Sequence, residues 1–321
     1  MAEHLPEARG LGDALADLID EPEAFVEVLR DGLGHLADES YALEQERVAP
    51  GSGVVFGVRG PLLAAVTRQL RQPLAESSPA SALWLADRLV VEPQREIELV
   101  GYAALRRSLP DDPERTWQLM RRLGHAAGDW IRVDSLAELF AQGVLLESFR
   151  WAELEQLVYA ASRWERRLVG STIARLPFEL PRERRNALAN TPGLTIIKSL
   201  LGDSEPDVQK ALSWALRSWL EVDPRGVREF LRIEAEAARA ADDGHRAWVL
   251  RDALTAPSIE PALAAEIRQR LEGVRRRADQ PSSSEAATVA AGLAGLQEMA
   301  DTAVDQQGDR QSMAPLGGRS R

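Results

Sequence analysis

The chain has 321 residues and no cysteine, which excludes a disulfide scaffold, a thiolate-ligated metal and a thiol nucleophile. Hydrophobic residues make up 45% and charged residues 28%, the balance of a globular protein with material for one large domain or two ordinary ones. The formal net charge is −11, no apolar run reaches the ~18 residues that span a membrane, and the opening MAEHLPEARG lacks a basic-then-apolar leader, so the expected location is the cytoplasm, with no membrane partner.

In chain order, residues 1–50 read as an acidic helical segment. Val54-Val55-Phe56-Gly57-Val58 is the one β-like run, short and flanked by glycines. Residues 93–107 place Ile97, Leu99, Val100, Ala103, Ala104 and Leu105 on one helical stripe, opened by Pro93 in a tolerated first-turn position. The same period recurs over 130–146 (Trp130, Val133, Leu136, Ala137, Phe140, Val144) and 163–176 (Trp164, Leu168, Ile173, Leu176). It returns over 205–220 (Val208, Ala211, Leu212, Ala215, Leu216, Trp219) and 224–233 (Val227, Phe230, Leu231). Breaks fall at Pro110–Pro113, Pro177–Pro181, Thr191–Gly193, Gly202–Pro206 and Asp223–Pro224. Helices with short breaks, paired every 35–45 residues or so, are the spacing of HEAT-type repeats, which stack into a solenoid with a concave face. A plain helical bundle is the alternative. Residues 278–321, rich in Ala, Ser, Gly and Gln and without an aromatic residue, read as a disordered tail.

The charge is unevenly spread. Residues 1–99 hold 8 basic and 18 acidic residues, residues 100–232 hold 20 and 18, and residues 233–321 hold 11 and 14. All but Lys198 and Lys210 of the basic residues are arginines, so a phosphate would be met mostly by guanidinium groups.

The four histidines never form a metal-ligand pair, and no nucleophile elbow or P-loop occurs. Gly51-Ser52-Gly53 followed by Gly57 has some likeness to a phosphate loop, but without a strand–turn–helix unit it reads as a loop between helices. Three groups in the central third remain: Asp129-Trp130-Ile131-Arg132-Val133-Asp134, Ser162-Arg163-Trp164-Glu165-Arg166-Arg167, and Asp207 to Trp219. On a helix Trp130 and Asp134 share a face. Taken singly, a helical Trp is ordinarily core, a first-turn Asp complements the helix dipole, and Arg166 and Arg167 form a solvated face. Composition and spacing reach no further than an all-α repeat protein with an arginine-bearing surface.

In combination the groups resemble the AlkD-like DNA alkylation-repair glycosylase family, whose members are HEAT-like. Trp130 and Asp134 match W-x-x-V-D, and Trp164 and Arg167 match W-x-x-R. Gln209, Lys210, Ala211, Leu212, Trp214, Leu216 and Arg217 match Q-K-A-[IL]-x-W-x-L-R, with the Asp223-Pro224 turn behind them. Gly57-Val58-x-x-Pro61 and Pro93-x-Arg95-Glu96 resemble earlier segments, so the likeness spans about residues 55–235.

The resemblance implies a HEAT-like domain over 51–277 that excises N3- or N7-alkylated purines from duplex DNA without a tight base-flipping pocket. It implies no metal and no organic cofactor, and a monomer is expected. Asp134 would stabilise the developing sugar cation, and Trp130 and Trp214 would wall the cleft and contact the deoxyribose. Arg167 would clamp a phosphate, with Arg217, Lys210 and Arg166 as further DNA contacts. The chain departs from the family pattern in its acidity and after Gly57, where Gly60 and Ala64 stand in place of an expected hydroxyl and arginine. Two other readings use the same fold: a non-catalytic binder of bent or damaged DNA, and a protein-interaction scaffold, which the negative charge favours.

Overall fold

A computed structural model describes residues 4–49, 53–289 and 292 of the chain. The described residues fold into α-helices joined by short turns: α1 (Leu5–Ala16), α2 (Pro22–His35), α3 (Glu39–Val48), α4 (Gly60–Gln69), α5 (Arg71–Glu76), α6 (Pro79–Leu89), α7 (Arg95–Ser108), α8 (Pro113–Ala126), α9 (Trp130–Leu146), α10 (Arg150–Gln156), α11 (Arg163–Arg175), α12 (Gly193–Leu200), α13 (Pro206–Trp219), α14 (Pro224–Ala240), α15 (Gly244–Ala253) and α16 (Pro261–Arg270). Leu157–Tyr159, Leu176–Glu179 and Arg182–Asn190 form 3-10 turns. None of these helices is long and apolar enough to cross a membrane.

The boundaries have local causes. The Asp129 carboxylate accepts the N–H groups of Ile131 and Arg132 at 2.9 and 3.0 Å and so starts α9 at Trp130. Ser162 caps α11 through Trp164 N–H, and Asp112, Asp223 and Asp243 cap α8, α14 and α15. Proline occupies the first turn of α8, α13 and α14, where its missing N–H costs no helical bond.

The architecture is an all-α helical repeat array, as the periodicity predicts. From α7 onward, alternate helices α7, α9, α11, α13 and α15 pack side by side in chain order, while α8, α10, α12 and α14 pack against them as a second row. Upstream, α1 packs on α4 and α2, and α6 joins α2 to α7. One continuous core runs through the stack and includes the fully buried Trp117, whose ring sits 4.7 Å from that of Phe140. Gly170 lets α11 approach α13 closely, since a Cβ there would stand 2.9 Å from that of Ala211.

Two segments differ in detail from the sequence expectation. Residues 54–58 form no strand: a single parallel bridge joins Val54 to Gln94, and Gly57 adopts φ +82°, a conformation that favours glycine. The Glu96 carboxylate accepts the N–H groups of Phe56, Gly57 and Val58 at 3.2, 2.9 and 3.2 Å, so those three donors are occupied and not free for a phosphate. Residues 278–289, expected to open a disordered tail, are instead bonded to the repeat stack. Ser283 N–H donates to the Gly202 carbonyl at 3.0 Å, and the Gln280 carbonyl meets His245 Nε2 at 2.8 Å. Ser283 Oγ also donates to Asp243, and Ala286 is fully buried. Residues 278–289 are therefore docked on the repeat stack, and the rest of the expected tail, residue 292 apart, lies outside the described residues.

Candidate active site

The row α9–α11–α13 carries the sequence-derived candidates. Asp134 stands one turn into α9 and Arg167 one turn into α11, and the two meet directly. Arg167 Nη2 donates to Asp134 Oδ2 at 2.6 Å and Nε donates to Oδ1 at 3.1 Å, a two-pronged ion pair. Arg167 Nη1 donates to the Asp207 carbonyl at 2.8 Å, so one guanidinium ties three helices together. A residue that sequence reasoning missed completes the cluster: Ser171, fully buried one turn beyond Arg167, donates its hydroxyl to Asp134 Oδ1 at 2.6 Å. A carboxylate offers about four acceptor positions. Two on Oδ1 and one on Oδ2 are filled by these groups, leaving a position on Oδ2. The Asp134 side chain keeps 21% of its surface open, whereas Arg167 keeps 7%.

That burial changes the role expected of Arg167. Its guanidinium lies beneath the carboxylate, with three of its donors bonded inside the protein, so it positions Asp134 rather than standing free as a phosphate clamp. Arg166 departs further from its expected DNA contact. It is buried, with Nε on the carboxylate of Asp203 at 2.7 Å and Nη1 on the Ala160 and Ala161 carbonyls. Arg217 is half-buried and paired with Asp252 at 2.5 Å. Lys210 is exposed and forms no ion pair among the described residues.

Trp130 lies one turn before Asp134 and is 36% exposed, unlike the buried core tryptophans Trp117 and Trp219. Trp214 is half-buried, with the Arg175 guanidinium 5.7 Å above its ring. It follows Asp207 by two turns, about 10 Å of helix rise. Trp130 thus shares α9 with Asp134, and Trp214 shares α13 with Asp207. Beyond Trp214 lies an open recess of about 620 Å³ that also takes in Phe178, Arg182, Arg185 and Arg217.

Several N-terminal carboxylates are spent inside the fold. Glu92 accepts Arg30 and Arg88, Asp38 accepts Arg59, and Glu96 is capped by backbone. Glu98 accepts Arg132 Nε and the Tyr102 hydroxyl, both at 2.6 Å. Burial, with Glu98 second, pushes the Tyr102 phenol well above its ordinary pKa.

A family model described as "DNA alkylation repair enzyme" matches residues 29–256. No curated protein matches the chain. Among solved structures, a "Predicted DNA alkylation repair enzyme from Enterococcus faecalis" superposes with a TM-score of 0.56 at 16% sequence identity, covering 70% of this chain and 98% of that one.

Proposed function

The chain belongs to the DNA alkylation repair enzyme family, and from that premise we propose that it is a DNA glycosylase that releases N3- and N7-alkylated purines from duplex DNA. An alkylated purine carries positive charge, and when the C1′–N bond breaks its electron pair neutralises the departing base. The sugar is left as an oxocarbenium-like cation, which a fixed carboxylate stabilises. Water then bonds to C1′ and gives up a proton, completing hydrolysis.

The observation that carries this reading is the carboxylate of Asp134. It is fixed by Arg167 and Ser171, retains an acceptor position on Oδ2, and stays open to solvent beside an exposed tryptophan. A carboxylate held in this way need not reorganise as charge develops on the sugar. Trp130 and Trp214 supply aromatic faces for the deoxyribose as it becomes positive. Lys210 and Arg217 border the same row and would contribute backbone contacts.

Incubation with a duplex containing 7-methylguanine, followed by assay for free base, tests the proposal. Release by the wild type and its loss on Asp134→Asn are expected. Salt-dependent DNA binding without release of any methylated purine would replace it with a non-catalytic binder, and no DNA binding would leave a protein-interaction scaffold.

A further inference from the structure

On α9, Ser135, next to Asp134, and Glu138, one turn beyond it, border a recess of about 600 Å³ whose other walls come from α4, α5, α7 and α11. Four arginines line it, Arg71, Arg106, Arg107 and Arg175, against the single carboxylate of Glu138. That concentration of positive charge is notable in a chain of net charge −11.

The four arginines are not equivalent. Arg107 is committed to the fold, since it donates to the Leu74 and Ser77 carbonyls at 2.8 and 3.1 Å and pairs with Asp111. Arg71 is exposed and has no ion-pair or hydrogen-bond partner among the described residues. Arg106, 47% exposed, reaches Glu138 Oε1 at 2.7 Å. Arg175 approaches the other Glu138 oxygen only to 3.7 Å, stacks over Trp214, and keeps a buried Nε without a hydrogen-bond partner. Glu138 thus stands between two guanidiniums with a third free nearby, each of which could serve a larger anion.

We propose that this recess binds the phosphodiester backbone of the duplex next to the lesion, through Arg71, Arg106 and Arg175, and that Glu138 holds Arg106 and Arg175 in place and competes with the phosphate for them. The assignment rests on the DNA glycosylase reading above. Scale supports it: neighbouring positions on one helix face lie about 5–6 Å apart, while phosphates of one strand recur every 3.4 Å along the duplex axis. An anion at Glu138 therefore falls within a nucleotide or two of a sugar at Asp134. Arg175 joins the two sites, because it borders the recess and covers Trp214.

The test is DNA affinity by fluorescence anisotropy across 50–200 mM salt, for the wild type, Arg71→Ala, Arg106→Ala, Glu138→Gln and, as a control on α8 in the other row, Arg115→Ala. Each arginine variant of the recess should lower the slope of log affinity against log salt by about 0.9. If binding at 1 M salt is unchanged, that is roughly 8-fold weaker binding at 0.1 M salt. Arg115→Ala should leave the slope alone. Glu138→Gln should bind about threefold more tightly at low salt, the effect of removing a unit charge ~6 Å from a phosphate in a water-like dielectric. Unchanged slopes in both arginine variants while the wild type still binds would overturn this site alone. Absence of wild-type binding would remove the glycosylase reading and the site together. Equal or weaker binding by Glu138→Gln would overturn its role as the competing anion. Thermal protection by inorganic phosphate that requires Arg71 and Arg106, with unchanged DNA slopes, would mark a small-anion site and overturn the duplex assignment.

Discussion

Asp134→Asn separates chemistry from architecture, because the substitution keeps the shape of the side chain and removes its charge. If Asp134 stabilises the sugar cation, single-turnover base release should fall by about 10²–10³-fold, the usual effect of removing one preorganised electrostatic group. The structure adds a second, measurable cost. Arg167, with 7% of its side chain exposed, would lose its anionic partner. Breaking a fully buried pair costs about 3–5 kcal/mol, but Asp134 is partly open, Asn Oδ1 can still accept one or two of the same donors, and Arg167 keeps the Asp207 carbonyl. About 1–3 kcal/mol is therefore expected, or some 2–12 °C in Tm at about 2–4 °C per kcal/mol. A solvated helix-surface Asp would cost only a few tenths of a kcal/mol and leave the rate alone. The assay pairs thermal unfolding with 7-methylguanine release measured well below the variant's Tm, and DNA affinity should hold or rise slightly because a charge near phosphates is gone. A folded Asp134→Asn protein that releases base at the wild-type rate would refute the mechanism.

Other variants probe the same cluster and its surroundings. Ser171→Ala removes one donor from Asp134 Oδ1 and should slow single-turnover release by about 3–30-fold with unchanged DNA affinity; it should have no further effect in an Asp134→Asn background, whereas an additive loss there would show that Ser171 acts elsewhere. Trp130→Ala should weaken both binding and rate while costing little stability, since the ring is already exposed, and a loss of several kcal/mol in denaturant unfolding would instead make it a packing residue. Tyr102 governs an alkaline effect: the unfolded phenol ionises near pH 10, the buried one only well above that, so stability is full below pH ~10 and declines as pH rises from there towards the folded value. Tyr102→Phe should flatten that decline in urea unfolding at pH 9–11, and an equally steep decline would contradict the assignment.

What could be read from the chain divides along physical lines. Helix starts were legible because their causes are local: the stripes read from residues 130, 163 and 224 begin where α9, α11 and α14 do, behind the caps that Asp129, Ser162 and Asp223 supply, and the break at Gly202–Pro206 ends at the first residue of α13. Where apolar spacing was the only guide, the reading fell short. The helix predicted to end near residue 233 runs on to Ala240, because Ala235 and Ala238 pack in the core without lifting the local hydrophobicity. The docked residues 278–289 are held by Gln280, Ser282 and Ser283 bonding to backbone and carboxylate, a polar attachment with no apolar period to betray it. The site shows the same division. Trp130 and Asp134 share a face by local arithmetic. Which partner Asp134 takes depends instead on how α11 lies against α9, and that register brings Arg167 and a helical serine beneath it while turning Arg166 towards Asp203. The arginine recess is further still from any local signal, since Arg71 and Arg175 belong to different repeats and share a wall only because α5, α7, α9 and α11 stack in order. A charge count along the chain averages such a recess with every exposed glutamate. The net charge of −11 is a sum over the whole chain, whereas the potential in a recess is set by the groups beside it: Arg71, Arg106, Arg107 and Arg175 stand there against Glu138, gathered by the stacking of helices and not by their order in the sequence.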